Sequence, residues 1–326
     1  MLIDSGDLYE SNFAGDLITP EDNKGIDAIN KIVYNLRTIG NHEFNYSWKT
    51  TEQAARQFQG DTILANLYDN QGNRSFAPYV IYELQGIKIA IIGLVTNEVS
   101  FAEISDPSHY NNGYFNDIDA ELDKCLQELQ GKADLTIVSA HMGIQASVYD
   151  EGLSKLAEKY SPRVDAFLAG HDHQKLNTDI SNTPCLEPAN NGQYLDKLEI
   201  SLVEENGKKH LAENGICASQ LDISQYAPDL NFLEDFRSSI EHLNQLTTEK
   251  IGEVTQDFVG QTEVSPHVPT RLTSYDPVAD IVCSAIQDQS GADIVCSQIH
   301  QPFEDLKRGP LYLYDIYNVY IFENYH

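Results

Sequence analysis

The sequence predicts an α/β fold. Strand-period and helix-period segments alternate along most of the chain, the pattern of sheets covered by helices. Apolar residues make up 41% of the 326, enough for a large core and too many for a disordered chain. Polar clusters also follow directly on apolar strands, where open α/β sheets place their ligands. The length suits two domains, or one large and one partial.

In chain order, "MLIDSGD" opens inside a buried strand, and "GIDAINKIVYNLRT" repeats apolar residues at helical spacing. "TTEQAARQFQG" is a second helix ended by glycine, and "DTILANLYD" a short strand. "APYVIYELQGIKIAIIGLVT" reads as two strands joined by a tight turn at Gln85-Gly86. "NDIDAELDKCLQELQGK" is a helix and "ADLTIVSAHMG" a strand; "YDEGLSKLAEKYSPRV" and "DAFLAGHDH" repeat that pair. Strands and turns dominate residues 183–223. A polar helix over 229–251 is a natural linker to a smaller region, 252–326.

The formal charge of −29 is spread along the chain. A nucleic-acid polymer or an anionic membrane demands a basic patch, so neither is an expected partner. No run of about 18 apolar residues predicts a transmembrane segment, and no signal peptide is visible. The five cysteines lack CxxC spacing and read as mostly buried thiols, not as a disulfide framework or zinc ribbon.

The chemistry concentrates in "DSGD" (Asp4–Asp7), "GNHE" (Gly40–Glu43), "SAHMG" around His141 and "GHDH" (Gly170–His173). Singly, "DSGD" reads as a turn and His141 as an ordinary hydrogen-bonded histidine, while "GHDH" alone leaves metal binding open. In this order, each after an apolar strand, they form a nitrogen and oxygen ligand set. Such a set suits zinc, manganese or iron better than calcium, which prefers oxygen alone. Glycines beside the ligands let backbone approach an ion or phosphate. Asn41 is then a candidate ligand and His42 a group that acts on substrate.

The series GD … GNHE … H-x-G … GHxH resembles the calcineurin-like metallophosphatases, and more closely their 5′-nucleotidase and 2′,3′-cyclic-nucleotide 2′-phosphodiesterase branch. "LIDSGDLYESN", "TIGNHEFNY", "VDAFLAGHDH" and "CLEPANNGQYLDKLEISL" all match stretches typical of that branch. "KRGPLYLYDIYNVYIFEN" resembles the start of its nucleotide-recognition domain. The resemblance implies a four-layer metallophosphatase sandwich over 1–228, lacking its first strand, and a partial C-terminal α+β domain over 252–326. It implies metal-dependent hydrolysis of nucleotides, with divalent ions such as zinc, manganese, iron or cobalt. Asp7 would bridge two ions. Asn41, His141 and His171 would complete one site with it, and His173 would belong to the other. His42 would be catalytic, stabilising charge on phosphoryl oxygens or protonating the leaving oxygen. Family relatives are often exported or held at the cell surface.

The chain departs from the family at three places. The family's Asp-x-His motif lies on a strand before the GD motif, and this chain starts three residues before Asp4. It therefore reads as truncated at both ends, with one ion expected instead of two and weak or absent hydrolysis. Asn45 stands where many 5′-nucleotidases carry Asp, and no arginine motif follows "SGADIV". Both point toward the cyclic phosphodiesterases. Tyr312, Tyr314, Tyr317, Tyr320 and Phe322 offer faces for a base, although aromatics at this spacing mostly build core. The alternatives are a catalytically dead relative that binds nucleotide or a partner, and a metallophosphatase of different substrate.

Overall fold

The computed structural model describes residues 1–8, 18–19, 21–99, 112–146, 151–205, 207–259, 277–295 and 305–319. They form two compact units, one running through Leu233 and one beginning at Glu234.

The first unit starts with β1 (Ile3–Asp4), α1 (Lys24–Ile32), β2 (Leu36–Thr38), α2 (Trp48–Gln57) and β3 (Asp61–Ile63). The three strands pair in parallel, in the order β1-β2-β3. Asn23 starts α1 by accepting the Ile26 N–H on its side-chain oxygen at 3.1 Å. Val33 ends it in the left-handed region, at a φ of 67°. The helical period of the sequence continues to Thr38, but this turn redirects the chain, and Leu36–Thr38 pair as a fully buried strand. Helices α1 and α2 pack on each other through Ile26, Ile29, Ala54 and Phe58.

Next come β4 (Leu67–Asp69), β5 (Tyr79–Leu84), β6 (Ile87–Val95), β7 (Gly113–Phe115), α3 (Ile118–Glu128), β8 (Leu135–His141), α4 (Leu153–Tyr160), β9 (Ala166–Leu168), β10 (Lys175–Ile180) and β11 (Thr183–Pro188). A long hairpin follows, β12 (Tyr194–Glu205) and β13 (Lys208–Asp222). The single strand expected over "DTILANLYD" is two, since β3 and β4 belong to different sheets. The turn between β5 and β6 has positive φ at both Gln85 and Gly86, as a two-residue hairpin requires.

The main sheet has the order β10-β11-β9-β8-β6-β5. Its centre, β11-β9-β8-β6, is parallel, and an antiparallel strand closes each edge. Strand β6 shows how the layers stack. Ala90, Ile92 and Leu94 pack with Leu122 and Leu126 of α3 and Leu153 and Leu156 of α4. Ile87, Ile89 and Ile91 point the other way, onto Leu36 and Ile63 of the smaller sheet and Leu198 and Ile200 of the long hairpin. Burial on both faces is why "IKIAIIGLV" is almost wholly apolar instead of alternating. Each buried Ile or Leu contributes about 1.5–3 kcal/mol. Parallel strands also bring several carboxyl ends to one edge, which sets up the polar clusters.

The later segments are α5 (Leu230–Asp235), α6 (Arg237–Thr247), β14 (Lys250–Val254), α7 (Pro277–Ser290), β15 (Gly309–Tyr312) and α8 (Leu313–Val319). The single linker helix expected over 229–251 does not form. Phe236 separates two helices, and Lys250 and Ile251 are strand, paired antiparallel with β15. Thr247 and Thr248 end the second helix: both hydroxyls donate to the Asn244 carbonyl, at 3.0 and 2.7 Å. The second unit has its own small core of Val254, Val278, Leu306 and Val319. Tyr312 and Tyr314 are exposed and stand outside that core. Tyr320, Phe322 and the Tyr317 side chain lie outside the described residues.

Candidate metal centre

Four strand ends build the centre. Asp7 follows β1, Asn41 follows β2, His141 closes β8 and His171 follows β9. Ligand atoms of Asp7, His141 and His171 all lie within 4.8 Å of one another. The Asp7 Oδ2 atom is 2.9 Å from His141 Nε2. Asn41 Oδ1 is 3.0 Å from His141 Nε2 and 2.9 Å from His171 Nδ1. The four residues expected to hold one ion are therefore brought together, although they span sequence positions 7 to 171. His173 is not in this group. It is exposed, with Nδ1 3.5 Å from the Asn190 amide nitrogen.

The backbone is bent to make this convergence. Asp7, His171 and His173 all have positive φ, at 55°, 91° and 59°. Non-glycine residues adopt that region at a cost, and such strain collects at functional sites. Glycine is required next to them. A Cβ on Gly6 would lie 2.7 Å from both His141 Nδ1 and the Gly40 nitrogen, and one on Gly40 would run into the Asp7 carboxylate.

The donor set fits a divalent cation. A carbonyl oxygen only accepts, so the 2.8 Å contact from His141 Nδ1 to the Ser5 carbonyl keeps a proton on Nδ1 and makes Nε2 the atom that faces Asp7 and Asn41. Burial works against a charged ring at His141, but the Asp7 carboxylate overcomes it and pushes the pKa up to about 9. Burial would likewise raise the Asp7 carboxyl, yet the His141 ring and the His42 backbone N–H hold it far below the usual carboxylate range. Without an ion the pair keeps a proton between anion and ring. A cation bound there would displace that proton, as metal binding at such ligands generally does.

His42 stands at the rim, half-buried. Its backbone N–H donates to Asp7 Oδ1 at 2.8 Å, and its Nδ1 faces the Asn45 amide nitrogen at 2.7 Å. An amide N–H donated to Nδ1 leaves the ring proton on Nε2.

Sequence reasoning missed the support beneath these loops. Glu43 is fully buried and accepts from the backbone N–H groups of Asp7, Leu8 and Gly40, at 3.1, 3.0 and 2.7 Å. It also accepts from Arg37 Nη2 at 2.8 Å, and that arginine is itself 1% exposed. One carboxylate thus ties the loop after β1 to the loop after β2. The signal was present as a lone Arg inside the apolar "NLRTIG" and an acid directly after Gly-Asn-His. Glu98 was missed as well. It lies just past β6 and accepts from His171 Nε2 at 2.6 Å. Its signal was its position, an acid at the end of a long apolar strand.

A family model described as calcineurin-like phosphoesterase matches residues 1–175. A 5′-nucleotidase of Vibrio cholerae is 26% identical over 99% of this chain and 64% of its own length. A 2′,3′-cyclic-nucleotide 2′-phosphodiesterase/3′-nucleotidase of Salmonella typhimurium is 28% identical over 64% of this chain and 37% of its own. The chain thus spans roughly a third to two thirds of the length of these relatives. The solved structure of a 5′-nucleotidase precursor from Thermus thermophilus superposes on 97% of this chain and 63% of that one, with a TM-score of 0.69 at 18% identity. That superposition concerns the fold.

Proposed function

The chain belongs to the calcineurin-like phosphoesterase family, and from that membership we propose that it is a metal-dependent hydrolase of phosphoric esters in nucleotides. The observation that carries the reading is the meeting of Asp7, Asn41, His141 and His171 at one point. These four would hold one divalent ion: zinc, manganese, iron or cobalt by the nature of the donors. When bound, such an ion supplies Lewis acidity toward a phosphoryl oxygen and acidifies a water. His173 with Asp7 is the proposed start of a second site.

The remaining chemistry belongs to side chains. Asp7 fixes the His42 backbone, and Asn45 fixes its ring, so Nε2–H can donate to a phosphoryl or leaving oxygen beside the ion. Asn45 stands where many 5′-nucleotidases carry Asp, and no arginine motif follows "SGADIV"; this resemblance to the cyclic phosphodiesterases supports hydrolysis of 2′,3′-cyclic and 3′-nucleotides ahead of 5′-nucleotides. Nucleotides are the proposed partner, and a nucleic-acid polymer is not. No helix among the described residues is long and apolar enough to cross a membrane. Export belongs to the same proposal, and cell fractionation tests it.

The main experiment strips the chain with chelator, reloads it with each ion and follows by chromatography the loss of cyclic, 3′- and 5′-nucleotides and the appearance of the 3′-nucleotide, nucleoside and phosphate. Ion-dependent hydrolysis with the cyclic ester fastest is the expected result. Ion binding without turnover of any nucleotide would reject the nucleotide reading in favour of a dead relative or a phosphoesterase of different substrate. Faster hydrolysis of a 5′-monophosphate would reject the cyclic preference.

A further inference from the structure

The two histidines of the centre face the same oxygen with different ring atoms. Asn41 Oδ1 meets Nε2 of His141 and Nδ1 of His171. A neutral imidazole offers one lone pair, and the partner of its other nitrogen decides which. For His141 that partner is the neutral Ser5 carbonyl. For His171 it is Glu98, whose Oε2 lies 2.6 Å from Nε2. We infer that Glu98 is a positioning residue: its carboxylate holds the Nε2–H of His171 and so keeps the Nδ1 lone pair on the ion. The inference rests on reading Asp7, Asn41, His141 and His171 as an ion site.

Three further observations support it. Glu98 is anchored, because its backbone N–H donates to Thr96 Oγ1 at 3.2 Å, and Thr96 is fully buried. The Thr96 N–H donates in turn to the His141 carbonyl at 2.8 Å, so the end of β6 backs both histidines. His171 also has greater need of a restraint, since its φ of 91° places the ring on an unfavourable backbone conformation. Charge points the same way. The ligand set carries one formal negative charge, on Asp7, and Glu98 brings a second, which matches a divalent ion. A carboxylate also strengthens the imidazole as a donor more than a carbonyl does.

The test measures ion binding on the full chain, apart from any turnover. Stripped wild type and E98Q are titrated with Co²⁺, read by the visible absorption of the bound ion, and each metal-free protein is melted. We expect E98Q to bind Co²⁺ roughly 10–100-fold more weakly, the usual cost of losing an outer partner of a metal-binding histidine, with its metal-free melting temperature unchanged. Equal affinity overturns the inference, and so does a lower metal-free melting temperature with unchanged affinity, which marks a purely structural contact. If wild type itself binds no Co²⁺, the ion-site reading fails instead. Should E98Q not fold, long-range ¹⁵N–¹H spectra of zinc-loaded wild type decide: Nε2–H on His171 with a strongly downfield proton, and Nδ1–H on His141, are expected. The same tautomer on both rings overturns the inference.

Discussion

His42 and Glu43 are neighbours with opposite duties. His42 stands half-buried, its backbone N–H held by the Asp7 carboxylate and its ring by Asn45. His42→Ala is expected to lower turnover roughly 10²–10⁴-fold, the scale of an acid–base group, while elemental analysis finds ion content unchanged. Unaltered turnover would remove His42 from the chemistry. Glu43 faces inward, beneath the loops. Glu43→Ala takes an acceptor at 2.8 Å from a buried Arg37 and leaves the Asp7, Leu8 and Gly40 N–H groups without it. Breaking a buried pair in this way costs about 3–5 kcal/mol. Urea denaturation should show that loss, and weaker ion binding should accompany it. A change below about 1 kcal/mol would mean that water or another acceptor replaces the carboxylate.

The segments that the sequence revealed best were those whose pattern is local. The β5–β6 hairpin, with Gln85-Gly86 at its turn, and the amphipathic α3 and α4 announce themselves within a dozen residues. Strand β2 did not, because "LRT" is three residues that continue an apolar helix period, and only pairing with β1 and β3 makes them a strand. The site divided in the same way. Asp7, Asn41, His141 and His171 could be read from motifs, whereas the roles of Arg37, Glu43 and Glu98 depend on partners that no local window contains. His173, expected at the other site, lies outside the converging group as that assignment requires. The long hairpin carries one testable consequence of its own. Burial raises the Asp196 carboxyl to about 6 from 3.8, against the opposing hydrogen bond from Gln220 at 2.8 Å. Between about pH 4 and 6 the folded state therefore holds a proton that the unfolded chain has released, and stability falls as pH rises through that window. Asp196→Asn removes the effect, so its melting temperature should gain on wild type from pH 4 to pH 6.5. A gap that stays constant with pH would clear Asp196 of that role.

The chain as a whole repels the substrate proposed for it. A net charge of −29 sets up a field that opposes an incoming phosphate. Raising ionic strength from about 10 to about 150 mM shortens the screening length from roughly 30 to roughly 8 Å. Over that range kcat/KM for a nucleotide should rise, mainly through KM, at saturating ion. A fall would show that local positive potential already governs encounter. The dispersal of the four converging residues has a further result, in time rather than space. Asp7 and Asn41 leave the ribosome early, while His171 must wait for the strands between. At a synthesis rate of roughly 5–20 residues per second, that delay is on the order of 10–30 s. Through that interval the nascent chain displays only half of a chelator, weak and unselective. On the proposed ligand set, metal acquisition would be a late event in biogenesis, and the choice of ion would be made where His171 emerges and folds.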